Sequence, residues 1–177
     1  MLELMSIRQS ERRYIDKPVE KEKIERIAEA GRLAPSACNG QPWKFIVVDE
    51  PAILLKVAGA TESKVLNMNG FVSQAPVLIV IVREKSNFTS RAGDLLKSKD
   101  YSLIDIGIAT ASMAYQATAE GLGTCIIGWL DDKKIKEILG IPKSKKVELV
   151  LSVGYAENTL RKKTRKPAGE VISFNKY

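Results

Sequence analysis

The sequence has no histidine, and that single absence removes several chemistries at once. Ser/His/Asp and Cys/His nucleophile pairs, histidine metal ligands and a histidine that titrates near neutral pH are all excluded. Only two cysteines are present, Cys38 and Cys125. That is too few for a disulfide framework or a ferredoxin-like iron–sulfur domain, and, without histidine, for a conventional zinc site. Aromatic residues make up 6% of the chain, which leaves little surface for stacking nucleobases. Apolar runs such as Ala75–Val82 fall far short of the roughly 20 residues of a membrane span. The opening MLELMSIRQSERRY lacks the apolar core of a signal peptide, so a soluble, cytoplasmic protein is expected.

What is present suits one folded unit. The 177 residues match an ordinary domain length, and an apolar share of 45% is sufficient for a core. Twenty-eight basic against twenty-one acidic residues leave a net charge of +7. No internal repeat or Pro/Gly/Ser-rich linker divides the chain, so a single domain over residues 1–177 is expected.

Periodicity supplies the elements. Ile24, Ile27, Ala28, Ala30 and Leu33 follow helical spacing from Glu20 until Ala34-Pro35-Ser36 ends the pattern. Residues 44–48 read as a strand, 52–58 as a helix, and 76–82 as a central strand buried on both faces. Residues 101–120 are apolar or small almost all round, as in a helix buried on most sides. A strand at 124–127, a helix from Asp131 or Asp132 to Leu139 closed by Gly140, and a strand at 147–153 complete an α+β pattern.

Three segments combine hydrogen-bonding or cationic side chains with backbone-permissive residues. Arg8, Ser10 and Arg12 alternate, and an extended backbone turns them to one side, suiting a phosphate; a solvated basic segment has the same pattern. The loop from Ala34 to Trp43 holds Ser36, Asn39 and Gln41 between Pro35, Gly40 and Pro42. It can read the heteroatom edge of a planar ligand or merely satisfy its own backbone. The run Arg161-Lys162-Lys163-Thr164-Arg165-Lys166 reads as a solvated tail, a nucleic-acid contact or a phosphate site. Gly121-Leu122-Gly123 follows a helix and lacks the third glycine of a dinucleotide loop.

Taken in order, these segments resemble the FMN-dependent nitroreductase family. The resemblance rests on Arg8-x-Ser10-x-Arg12 with Tyr14, on Pro35-Ser36-Ala37-x-Asn39-x-Gln41-Pro42-Trp43, on Gly121-Leu122-Gly123-x-Cys125-Ile126-Ile127-Gly128, and on Lys163-x-Arg165-Lys166-Pro167. It spans nearly the whole chain. It implies a mixed central sheet flanked by helices and an intertwined homodimer, with FMN at the interface and residues from about 157 to 177 extending onto the partner. Arg8, Gln9, Ser10 and Arg12, with Lys163 and Arg165, are then implied to hold the phosphate and neighbouring parts of FMN. Pro35, Ser36, Ala37, Asn39 and Gln41 come from the other subunit, Ile126, Ile127 and Gly128 lie against the ring with a backbone N–H near Ile127 at flavin N5, and Asn67 reaches the pyrimidine edge. Two positions depart from the family pattern: Gln9 stands where a basic residue is frequent, and Glu11 where an aliphatic one is.

The implied activity is a ping-pong oxidoreduction, with hydride passing from NADH or NADPH through flavin N5 to a small electron-poor acceptor such as a nitroaromatic or quinone. No side-chain nucleophile is required, and neither nucleic acid nor a membrane is an expected partner. Two other readings stay open: a flavin- or nucleotide-binding protein without turnover and, more remotely, a basic nucleic-acid-binding domain.

Overall fold

The computed structural model describes residues 1–85 and 100–177. Four strands form the sheet: β1 (Trp43–Val48), β2 (Val77–Arg83), β3 (Gly123–Ile127) and β4 (Lys146–Gly154). Their spatial order is β1-β2-β4-β3, with every neighbouring pair antiparallel. Among the described residues, the mixed character implied by the resemblance is confined to one parallel bridge, Ser10 to Thr124, where the parallel partner is the N-terminal segment. Strands β2 and β4 occupy the centre, and β2 is buried on both faces as its unbroken apolar run requires.

Alternation along these strands divides the core in two. Leu78, Val80, Val82, Val147 and Val150 face one side, where Leu54 and Val57 of α3 (Pro51–Gly59), Val72 and Ile135 pack on them. Val77, Ile79, Ile81, Leu151 and Val153 face the other side. There they meet Ile24 and Ile27 of α2 (Lys21–Arg32) and Ile106, Met113 and Ala117 of α4 (Tyr101–Ala119). Ile135 belongs to α5 (Asp132–Leu139), whose N-terminus is capped by the Asp131 side chain and whose end is turned by Gly140 at φ 65°. A short α1 (Leu2–Ile7), with no sequence signal strong enough to announce it, lies against α4.

Helix α4 is packed on its inward side only. Leu103, Ile104 and Ile108 are 45%, 44% and 38% exposed, so one chain leaves an apolar face of this helix uncovered. The expectation of a helix buried on most sides therefore holds for only part of its circumference. Its contact with α2 is close enough to demand Gly31, where an added Cβ would stand 2.8 Å from Met113 Cγ and 2.9 Å from the Phe45 ring. No helix among the described residues is long and apolar enough to cross a membrane.

Gly31→Val is expected to force α2 away from α4 and β1, lowering the unfolding free energy by about 1–3 kcal/mol, the usual cost of overpacking. Equilibrium denaturation of the purified variant measures this directly.

Candidate functional site

Strand β3 is an edge strand, and its outer side is where the sequence candidates gather. The Glu11 N–H donates to the Thr124 carbonyl at 2.8 Å, laying the N-terminal segment beside β3 in parallel register. Tyr14 fastens the same segment from below: its hydroxyl donates to the Glu11 carbonyl at 3.2 Å and bonds the Ser152 hydroxyl at 2.7 Å. Burial pushes the Tyr14 phenol well above its ordinary value, so it remains a neutral hydrogen-bonding group.

The chain after β4 returns along this segment. Glu157 N–H donates to the Arg13 carbonyl, Arg161 Nη2 to the Ser10 carbonyl at 2.6 Å, and Lys163 Nζ to the carbonyls of Met5 and Arg8 at 2.7 and 2.5 Å. Residues 157–165 thus lie along the N-terminal segment of their own chain. Together the two segments enclose an open cleft of about 260 Å³, with Arg8, Gln9 and Ser10 on one wall and Arg161 to Arg165 on the other. Among the described residues, five cations and no carboxylate line it. Desolvation, with Arg165 and Arg8 adding repulsion, holds the Lys163 ammonium below its ordinary pKa. Mutually repelling, donor-only groups of this kind leave a positive field whose natural complement is a phosphate. Arg12 continues the line as an exposed side chain, and Cys125 sits beneath it. Burial raises the Cys125 thiol, while Arg12, Ser10, Arg8 and Arg161 act in the opposite direction; Arg8 and Ser10 line the cleft, and Arg12 lies outside its lining.

Further along the same edge come Ile126, Ile127 and Gly128. Ile127 is buried under the sheet, whereas Ile126 is 40% exposed and Gly128 is exposed. Because antiparallel residues alternate between facing the partner strand and facing away, the outward Thr124 carbonyl implies that the backbone groups of Ile126 also point outward. Ile127 has the opposite parity and pairs with Val150. From Thr124 to Gly128 the edge runs about 13 Å at strand rise. A phosphate in the cleft and a planar ring against 126–128 are therefore spaced for one extended ligand.

The third segment is shaped by strain. Cys38, Asn39 and Gln41 have φ of 51°, 52° and 44°, a region that costs non-glycine residues energy. The strain is held by a Ser36 Oγ that accepts from Gln41 N–H at 3.0 Å, and by Gln41 Nε2 donating to Asn39 Oδ1 at 3.0 Å. The decisive support comes from α4. Asp105, the buried carboxylate of this helix, accepts the Ala37 N–H with both carboxylate oxygens at 3.0 and 3.1 Å. Sequence reasoning missed Asp105, although a lone carboxylate on the inward face of an apolar helix is itself a signal. These bonds anchor Pro35–Gln41 to the N-terminal half of α4. Those of Glu11 and Lys163 tie the other site to β3 and the N-terminal arm. Asn67 lies at φ 49° in a turn closed by reciprocal Ser63 and Met68 backbone bonds. Asn69 Nδ2 donates to the carbonyls of Thr61 and Trp129, tying that turn to the residue after Gly128. Among the described residues, no cluster of three cysteines or carboxylates is poised to hold a metal.

Asp105→Ala is expected to release the Ala37 amide. Loss of a charge-assisted bond of about 1.5–3 kcal/mol should speed its hydrogen exchange by roughly tenfold to a hundredfold, measured by NMR.

Comparison with known proteins gives the family of the chain. The sequence pattern of the Nitroreductase family matches residues 6–155. An FMN-dependent nitroreductase from Clostridium difficile superposes with a TM-score of 0.83 at 29% identity, covering 100% of both chains. A nitroreductase family protein from Streptococcus pneumoniae gives 0.84 at 27% identity, covering 98% of this chain and 99% of its own. An FMN reductase [NAD(P)H] of Bacillus subtilis is 28% identical over 94% of this chain and 70% of its own length. The match begins ahead of the cleft's first arginine and runs through the edge strand to the end of β4, and the chain belongs to the nitroreductase family.

Proposed function

We propose that this protein is an FMN-dependent oxidoreductase that draws on NADH or NADPH and reduces a small electron-poor acceptor. The observation that carries the proposal is the cationic cleft at one end of the outer β3 edge, with the open, apolar-floored backbone of Ile126 to Gly128 continuing along the same edge, which runs about 13 Å from Thr124 to Gly128. When bound, FMN supplies two-electron hydride chemistry at N5, which spares the protein any nucleophile or histidine.

Every other task falls to the chain. Arg8, Ser10, Lys163 and Arg165 hold the phosphate as a dianion, with Arg12 next along the arm toward the ring. Ile126 and Gly128 present backbone at the ring edge, where an amide donor stabilises negative charge that develops on reduction, and Ile127 fills the sheet behind them. The side-chain amide of Asn67 is available to the pyrimidine edge. Pro35, Ser36, Ala37, Asn39 and Gln41 form the opposite wall, supplied by a second copy of the chain. The uncovered face of α4 (Leu103, Ile104, Ile108), the exposed Met1, Leu2 and Met5 of α1, and the exposed Val171, Ile172 and Phe174 beyond Arg165 support this homodimer. Apolar residues exposed in such number on three elements are what a partner surface requires.

Purified protein mixed with FMN and desalted should keep the flavin absorbance bands, and anaerobic NADH or NADPH should bleach them. A protein that stays colourless overturns the proposal, and bound flavin that reduces no faster than free FMN reduces it to a binding role. Arg8→Ala or Arg165→Ala should weaken FMN binding by about 1.5–3 kcal/mol. Since Lys163 must be protonated to bind phosphate and its pKa lies below the ordinary 10.5, FMN affinity should fall as pH rises through that lowered value. Lys163→Arg should abolish the fall, as titration of FMN fluorescence at each pH will show.

A further inference from the structure

Glu11 is the most conspicuous group that the proposed function leaves unused. Its side chain is only 4% exposed, and its Oε2 has no hydrogen-bond partner. The fold makes room for it at a specific cost, because a Cβ on Gly123 would stand 2.4 Å from Glu11 Cγ and 3.1 Å from its Cβ. A buried carboxylate obtained this way is expensive and has to be hydrogen-bonded to something useful.

Its partner is Gln9. Glu11 Oε1 accepts from Gln9 Nε2, which also donates to the Thr159 carbonyl at 3.2 Å. A carboxylate only accepts, so it fixes which end of the Gln9 amide faces it: the NH2 turns toward Glu11 and the carbonyl oxygen turns away. That oxygen, Oε1, accepts from the Arg161 backbone N–H at 3.0 Å and from Arg161 Nε at 3.3 Å. Arg161 Nη2 is held in turn by the Ser10 carbonyl at 2.6 Å. Gln9 is therefore an adapter between an acceptor-only acid and a donor-only guanidinium, and the guanidinium it holds lines the cationic cleft.

We infer that Glu11 and Gln9 are positioning residues that orient Arg161 as an additional phosphate-binding cation of the cleft. The inference rests on the FMN reading and adds to it a residue, Arg161, together with the two-residue relay that aims it. With Nε and Nη2 committed to Gln9 and Ser10, the guanidinium has its remaining donors for a phosphate oxygen and loses little freedom on binding.

The test compares FMN with riboflavin, which has the same ring and ribityl chain but no phosphate. Arg161→Ala should weaken FMN binding by roughly tenfold to a hundredfold, the scale of a hydrogen bond to a charged group, and leave riboflavin affinity unchanged. Gln9→Ala should produce a smaller loss of the same phosphate-specific kind. The Gln9→Ala/Arg161→Ala double variant should bind FMN no more weakly than Arg161→Ala alone, because the relay acts only through Arg161. Glu11→Leu frees the Gln9 amide to rotate its donors toward Arg161 and should also lower the FMN to riboflavin affinity ratio. Glu11→Gln keeps an acceptor for Gln9 and should restore that ratio. Unchanged FMN affinity in Arg161→Ala, or strictly additive losses in the double variant, overturns the inference. If the unsubstituted protein binds no FMN, the FMN reading itself fails, which is distinguishable from failure of the relay.

Discussion

The backbone hydrogen bond from Glu11 N–H to the Thr124 carbonyl is the contact on which the rest of the site depends. A sheet edge exposes unpaired donors and acceptors, and proteins must cover it or put it to use. Here the N-terminal segment covers the first part of the β3 edge and stops short of the second. The covered part acquires arginines and a hydroxyl, and the uncovered part keeps its outward backbone groups at Ile126. The returning segment 157–165 then docks on the covering segment, so both walls of the cationic cleft are referred to one edge strand. Tyr14 fixes this junction to β4 through Ser152, with a phenol that burial keeps neutral.

The two parts of the proposed site differ in how they store energy. The cleft concentrates like charges, a condition that costs stability in the free protein and is relieved by an anion. The loop at Pro35–Gln41 instead stores backbone strain in three left-handed residues and is held in shape by a buried carboxylate from α4. Both arrangements are preorganised, so little rearrangement is left for the moment of binding. Helix α4 carries Asp105 inward to the loop while Leu103, Ile104 and Ile108 stay exposed.

Much of this was legible in the sequence because it is periodic or local. The helix at Lys21–Arg32 and the buried strand at Val77–Arg83 follow from apolar spacing and appear within a residue or two of their expected limits. The Arg8, Ser10 and Arg12 alternation marked one segment as a phosphate candidate, and Arg8 and Ser10 of that segment line the cleft. Strand order was not legible, since no local signal says that β4 inserts between β2 and β3. Asp105 and the burial of Glu11 escaped for a related reason. Each is a charged residue whose burial depends on partners distant in sequence, Ala37 for the first, and Gly123 for the second. Arg161 was visible only as one member of a basic run, and its distinction from Lys162 comes from Gln9, 152 residues away. The uncovered face of α4 looked like core, because an apolar residue that seals an interface has the same sequence signature as one that fills an interior.

The central claim is that the cleft between the N-terminal arm and the returning basic segment holds a phosphate as a dianion. The most direct measurement is the 31P NMR shift of FMN bound to the full chain, followed from about pH 5 to pH 8 across the ordinary second phosphate pKa of about 6. The predicted result is a bound resonance that does not titrate in this range, because the surrounding cations hold the dianion throughout. A bound phosphate that titrates like that of free FMN would contradict it.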